Sequence, residues 1–100
     1  MQIKKVGVIG AGQMGNGIAH VLSLGGYHVI LNDIDKNTLE KASYNIKNNL
    51  ERQVNSKKIS NADSNAALKL IKYTASLKEF NEVDLVIEAA TESEPIKQKI

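Results

Sequence analysis

Cysteine is absent from the 100-residue sequence, which excludes disulfides, thiolate metal sites and a cysteine nucleophile. Aromatic side chains are scarce, one Phe and three Tyr, and offer few platforms for stacking nucleic-acid bases. No sign of charge dominates either: thirteen bases face eleven acids, and only Lys4-Lys5 and Lys57-Lys58 place two bases side by side. Nucleic acid is therefore not an expected partner. No apolar run approaches the roughly 18 residues that a membrane span needs. The short basic and apolar start lacks the long h-region and small-residue cleavage site of a secretory signal. A cytoplasmic location without membrane association is the expectation, and no residue set suggests a metal site.

A hydrophobic fraction of 42% and a charged fraction of 24% match an ordinary globular domain, and 100 residues suffice for one modest core. Ile3, Val6, Val8 and Ile9 form a β-branched run that ends at glycine, which predicts a buried first strand. From Gln13 to Leu24 the apolar residues Met14, Ile18, Val21 and Leu22 recur at helical spacing until Gly25-Gly26 stops them. His28 to Asp33 is too short for a helix and apolar enough for a strand covered on both faces. Asn37 can cap a second helix carrying Leu39, Ala42, Ile46 and Leu50, which continues to about Val54. The polar stretch 55–64 interrupts it, and a shorter helix follows over 65–70. A third strand is predicted at 72–75 and a fourth over 83–90, VDLVIEAA.

Strands that alternate with helices imply an α/β fold, a Rossmann-type doubly wound parallel sheet with right-handed crossovers. In the order 3-2-1-4, strands one and four meet at the switch point, where ligands bind beyond the strand ends. Residues 1–100 are read as one dinucleotide-binding domain.

Gly10-Ala11-Gly12-Gln13-Met14-Gly15 fits GxGxxG. Alone the pattern is common by chance, but here it follows a predicted strand, opens a predicted helix and precedes Asp33 by about the expected interval. Gly10 permits the tight turn, Gly12 lets the backbone approach a pyrophosphate, and Gly15 lets helix and strand pack closely. The helix N-terminus presents N–H donors and partial positive charge to the phosphates. Asp33 would accept hydrogen bonds from the ribose hydroxyls of the adenosine half. A 2′-phosphate there would set anion against carboxylate with Lys36 as the only nearby base, so NAD is preferred to NADP. Two plainer readings stand beside these: Gly7, Gly12, Gly15 and Gly17 could serve only strand–helix packing, and Asp33 could be only a turn residue or a cap for the 35–37 region.

The segments VGVIGAGQMGNGIAHVLSLGGYHVILNDID and DLVIEAATE, with a long helical insert between strands two and three, resemble the 3-hydroxyacyl-CoA dehydrogenases. The short-chain bacterial 3-hydroxybutyryl-CoA dehydrogenases look closest, and the resemblance covers essentially the whole chain. It implies oxidation of an L-3-hydroxyacyl-CoA to a 3-ketoacyl-CoA in fatty acid metabolism, with hydride passing to NAD. By the same resemblance Gly10 to Gly15 hold the pyrophosphate and Asp33 the ribose. Glu92 and Lys97 contact the cofactor near its nicotinamide side, and Asn49 and Lys57 are candidates for contact with the CoA part of the substrate. Ser93 stands where many relatives have Asn.

The family's catalytic His, in a segment of the HFFNP type, has no counterpart in these residues. His20, inside the first helix, and His28, starting strand two, are expected to be structural, so no catalytic residue is assigned. Asp33 with Asp35 is no acid–base pair, and Glu79, Glu82 and Asp84 are expected to be solvated. Lys57-Lys58 can also be read as an exposed basic loop. Pro95 suits the first turn of a helix for which few residues remain. The chain is accordingly expected to be the front of a longer protein, truncated after the fourth strand, inactive alone, and a homodimer in intact form through a later helical domain. A non-catalytic NAD-binding or sensing module is an alternative function. A hydroxyisobutyrate-type dehydrogenase is another, although that group usually lacks Asp33 and VIEAATE.

Overall fold

A computed structural model of the chain describes residues 3–89. Its elements run β1 (Lys5–Ile9), α1 (Gln13–Leu24), β2 (His28–Asn32), α2 (Lys36–Asn55), α3 (Asn61–Leu70), β3 (Ile71–Thr74), a 3-10 helix (Leu77–Glu82) and β4 (Leu85–Glu88). The strands form one parallel sheet in the order β3-β2-β1-β4, as the alternating pattern requires. Val6 lies opposite Val29 and Leu85, and Ile9 opposite Asn32 and Glu88. All four strands therefore end on the same side.

Val6 and Val8 of β1 and Val29 and Leu31 of β2 are essentially inaccessible to solvent. They meet the apolar stripe of α2, where Leu39, Ala42, Ile46 and Leu50 are all buried as the 3.6-residue period predicts. The first helix behaves otherwise. Its buried positions are Gly15, Asn16, Ala19 and Ser23, whereas Met14 and Val21 face outward, Val21 at 68% exposure. Small residues one turn apart bring the helix axis close to the sheet, and that demand outranks the bulkier apolar stripe.

Several boundaries depart from the sequence reading. The second helix is capped by Asp35, whose side chain accepts from the Asn37 N–H, so Asn37 is capped rather than capping. The third helix begins at Asn61, inside the stretch read as an interruption, because Ser60 and Asp63 form a reciprocal capping box. The third and fourth strands are each shorter or shifted by a residue or two. The 3-10 helix was not anticipated; it lays the Phe80 ring against β1 at Gly7, where an added Cβ would come within 2.7 Å of the ring.

At the far end of the sheet, opposite the strand termini, Asp84 is exposed but not merely solvated. Its carboxylate accepts from the Lys4 and Lys5 N–H groups at 2.9 and 3.1 Å and so joins the starts of β1 and β4. Those bonds, with the nearby lysine charges, hold its pKa below the ordinary aspartate value. Glu79 and Glu82 pair with Lys72 and Lys5. No described helix is long and apolar enough to cross a membrane.

Candidate functional site

Beyond the end of β1 the chain turns sharply at Gly10, whose φ of +100° lies where side-chain-bearing residues are strained. The turn is pinned by the Gly10 N–H, which donates to the Asn32 carbonyl at 2.7 Å. Gly15, the third residue of α1, faces this turn. A Cβ there would lie 1.7 Å from the Gly10 carbonyl oxygen and 3.5 Å from Cβ of Ala89, the residue after β4. The third glycine of the motif is thus the point at which helix, turn and switch-point strand converge. Packing also accounts for Gly7, through Phe80.

Packing does not account for Gly12. Its backbone is extended, with φ −69° and ψ −163°, and an added Cβ would meet no protein atom within 4 Å. Folding alone leaves this position open to other residues. Gly12 is also the N-cap of α1 and, lacking a side chain, caps none of the first-turn amides, which have no intrahelical partners of their own. A helix start with this partial positive charge, approached over a bare backbone, is fitted to an anion such as a dinucleotide pyrophosphate.

Asp33 follows β2, and the ladder extends to it through its N–H, which donates to the Thr74 carbonyl at 3.2 Å. Its half-buried carboxylate joins the two halves of the site. Oδ2 accepts from the Ala11 N–H at 3.0 Å, and Oδ1 accepts from the Asp35 N–H at 2.9 Å. These backbone contacts do not exhaust the carboxylate, because each of its oxygens has two acceptor directions and only one is spent on the backbone. Two acceptor directions remain, enough for the vicinal hydroxyls of a ribose. The Ala11 amide is already bonded to Asp33, which leaves the helix start as the principal source of donors to phosphate.

Beside this loop a groove of about 540 Å³ runs between the start of α1 and one face of α2. Ala11, Gly12, Gln13, Asn16 and Gly17 form one wall; Thr38, Lys41, Asn45, Asn48, Asn49 and Arg52 form the other. The second wall is a helical stripe of amides and bases with no carboxylate. Asn49 lies in this wall, across the groove from the glycine loop. Lys57 does not line the groove; it occupies the turn after α2 with φ +63°. Lys41, Asn45 and Arg52 escaped the sequence reading, although their spacing along α2 carries the same helical period as Asn49. Asn32 escaped it too: this buried amide donates to the Thr74 carbonyl at 3.1 Å and locks the end of β2 against β3.

The histidines lie away from the loop. His20 is hydrogen-bonded to the Gln53 side chain at 2.8 Å across α1 and α2, and His28 opens β2 at the opposite end of the sheet. Among the described residues no cluster of His, Asp or Glu could hold a metal ion. Met14 faces outward beside Gln13 on the first turn of α1. Glu92 and Lys97 lie outside the described residues.

Comparison with known proteins places these features in a family. Residues 5–100 match the family model described as 3-hydroxyacyl-CoA dehydrogenase, NAD binding domain. A 3-hydroxybutyryl-CoA dehydrogenase of Bradyrhizobium diazoefficiens is 49% identical over 98 residues, which are 98% of this chain and 33% of that protein. A peroxisomal fatty acid beta-oxidation multifunctional protein of Arabidopsis thaliana, AIM1, is 41% identical over 98 residues, covering 98% of this chain and 14% of its own length. The crystal structure of (S)-3-hydroxybutyryl-CoA dehydrogenase PaaH1 from Ralstonia eutropha superposes with a TM-score of 0.88 at 38% identity, over 98% of this chain and 35% of that one. The chain thus spans about a third of the length of these two 3-hydroxybutyryl-CoA dehydrogenases.

Proposed function

The chain belongs to the 3-hydroxyacyl-CoA dehydrogenase family, through its NAD-binding domain, and from that premise we propose that it is the cofactor-binding part of an enzyme that oxidises an L-3-hydroxyacyl-CoA, such as 3-hydroxybutyryl-CoA, to the 3-ketoacyl-CoA. The observation that carries this reading is the junction of Asp33 with the glycine turn. One carboxylate is held at once on the loop that would take the pyrophosphate and at the edge where the adenosine ribose would lie.

Gly10, Ala11, Gly12, Gln13, Met14 and Gly15 form the pyrophosphate cradle, with charge supplied by the start of α1 rather than by a lysine. Asp33 accepts the ribose hydroxyls and disfavours a 2′-phosphate. NAD, when bound, receives the hydride from carbon three of the substrate. Glu92 and Lys97 are assigned to its nicotinamide side by the family pattern alone. The stripe of amides and bases on α2 supports placing the CoA part of the substrate along it, with Asn49 in the groove; Lys57, in the turn after α2, is assigned to the CoA part by the family pattern alone. No residue of this chain is assigned the proton transfer. Oxidation needs a base within hydrogen-bond reach of the substrate hydroxyl, and His20 and His28 are committed elsewhere. We place that base, and a homodimer contact, in sequence beyond residues 1–100, which on this reading are one NAD-binding unit. A cytoplasmic location agrees with the bacterial relatives; plant relatives are named as peroxisomal.

Calorimetric titration with NAD and NADP tests the reading. NAD should bind at least ten-fold more tightly, since each charge-assisted hydroxyl contact to Asp33 is worth about 1.5 to 3 kcal/mol. Asp33→Ser should narrow the gap. Equal affinity of the unaltered chain for both dinucleotides would remove Asp33 from the ribose site.

A further inference from the structure

A second cavity lies at the other end of the sheet from the glycine loop, where the strands begin. Its volume is about 460 Å³, and it is lined by Lys5 and His28, the first residues of β1 and β2, by the junction of α3 with β3, and by the 3-10 helix. A strand of five residues separates it from the turn at Gly10, which is about 17 Å at the usual rise per residue. The wall made by the 3-10 helix is anchored at two points. The Phe80 ring lies against β1 at Gly7, and the Ser76 side chain accepts from the Lys78 N–H at 3.2 Å.

Four lysines and two glutamates line this cavity. Each glutamate is already engaged: Glu82 lies 3.6 Å from the Lys5 Nζ, and Glu79 pairs with Lys72. Lys69 and Lys78 have no ion-pair partner among the described residues. The excess of two positive charges equals the formal net charge of the whole chain, +2, so acids and bases balance over all the other residues. Exposed lysines scattered over a surface are ordinarily just solvated. Two that line one concave space, beside carboxylates already neutralised, raise a local positive potential that scattered ones do not. A phosphate monoester carries about −1.5 to −2 charges near neutral pH, which matches that excess, and lysine meets it as a point charge. Asn81 adds an amide donor to the lining. The volume falls within the roughly 300 to 1,000 Å³ of small-molecule sites, which leaves room for more than the phosphate group. We propose that this cavity is a second anion site, separate from the dinucleotide site, that takes the phosphate group of a small molecule on Lys69 and Lys78. The inference does not depend on the assignment of the glycine loop to NAD.

Amide-resolved NMR titration of the chain with inorganic phosphate and with glycerol 3-phosphate, at constant ionic strength, provides the test. Both probes should move the amide signals of Lys69, Lys78 and Asn81 along one saturable curve, reported separately from any change at Gly12 and Gln13. Tighter binding of glycerol 3-phosphate assigns the site to a phosphate ester, and tighter binding of inorganic phosphate assigns it to the free ion. An exposed ion pair is worth at most about five-fold in Kd, so Lys69→Ala with Lys78→Ala should weaken the probes by roughly ten-fold and leave the melting temperature unchanged. Lys47→Ala with Lys58→Ala removes the same two charges from elsewhere on the surface and should change the Kd less than about two-fold. Shifts confined to the glycine loop, or an affinity that survives the loss of Lys69 and Lys78, overturn the proposal. Equal weakening by the two double variants overturns it as well, since overall charge would then explain the binding.

Discussion

A bulkier side chain at Gly15 and one at Gly12 should damage different properties of this protein, although both residues belong to the same glycine motif. At Gly15 the first added carbon would stand 1.7 Å from the Gly10 carbonyl oxygen, so backbone must retreat by more than 1 Å before any real contact distance is reached. The Gly10 peptide has little freedom to retreat, because its N–H is bonded to Asn32 and its φ is already positive. Overpacking that forces backbone shifts costs about 1 to 3 kcal/mol. The better helix propensity of alanine offsets at most about 1 kcal/mol of this. A net loss on the order of 1 to 2 kcal/mol lowers the melting temperature of a domain this size by roughly 5 to 15 °C. Gly12→Val meets no protein atom and keeps an ordinary backbone conformation, so it loses only the mild N-cap preference for glycine, about 1 kcal/mol or less. Its side chain instead fills the approach to the helix start, and NAD affinity should fall by at least about ten-fold. Thermal melts followed by circular dichroism, paired with NAD titrations below the transition, separate the two effects. Gly12→Val melting below Gly15→Ala, or a folded Gly12→Val that binds NAD as tightly as the parent chain, would refute the division of labour argued for the glycines.

Asp84 predicts a pH dependence. Its folded pKa is depressed by the Lys4 and Lys5 amides, so the stability it contributes is fully present above the unfolded aspartate value of about 3.9 and is lost as pH falls through the lower folded value. Asp84→Asn should remove that part of the acid sensitivity, and urea melts of both proteins at neutral pH and in the acid range would reveal it; parallel acid curves would count against the strand-joining role. Mixing the chain with NAD and 3-hydroxybutyryl-CoA should produce no reduced nicotinamide despite measurable NAD binding. Turnover on the order of 1 to 1000 per second would place the catalytic base within residues 1–100.

What the sequence determined by itself was whatever depends on neighbours along the chain. The period of Leu39, Ala42, Ile46 and Leu50 marks the buried face of α2, and the β-branched run ending at Gly10 marks β1, because apolar spacing and turn chemistry are local properties. The strand order was legible too, since right-handed crossovers leave few arrangements for this alternation. Tertiary structure decided the rest. Which face of α1 is buried depended on how closely that helix must approach the sheet, so Gly15, Ala19 and Ser23 went inward while the larger Val21 did not. Phe80 found Gly7 across more than seventy residues, with no local pattern to announce it. Asp33 could be read as a ribose acceptor or as a turn residue while only its sequence neighbours were visible. The contact with Ala11, made possible when β1 and β2 pair in parallel and end together, ties that one carboxylate to the glycine loop as well as to its own turn.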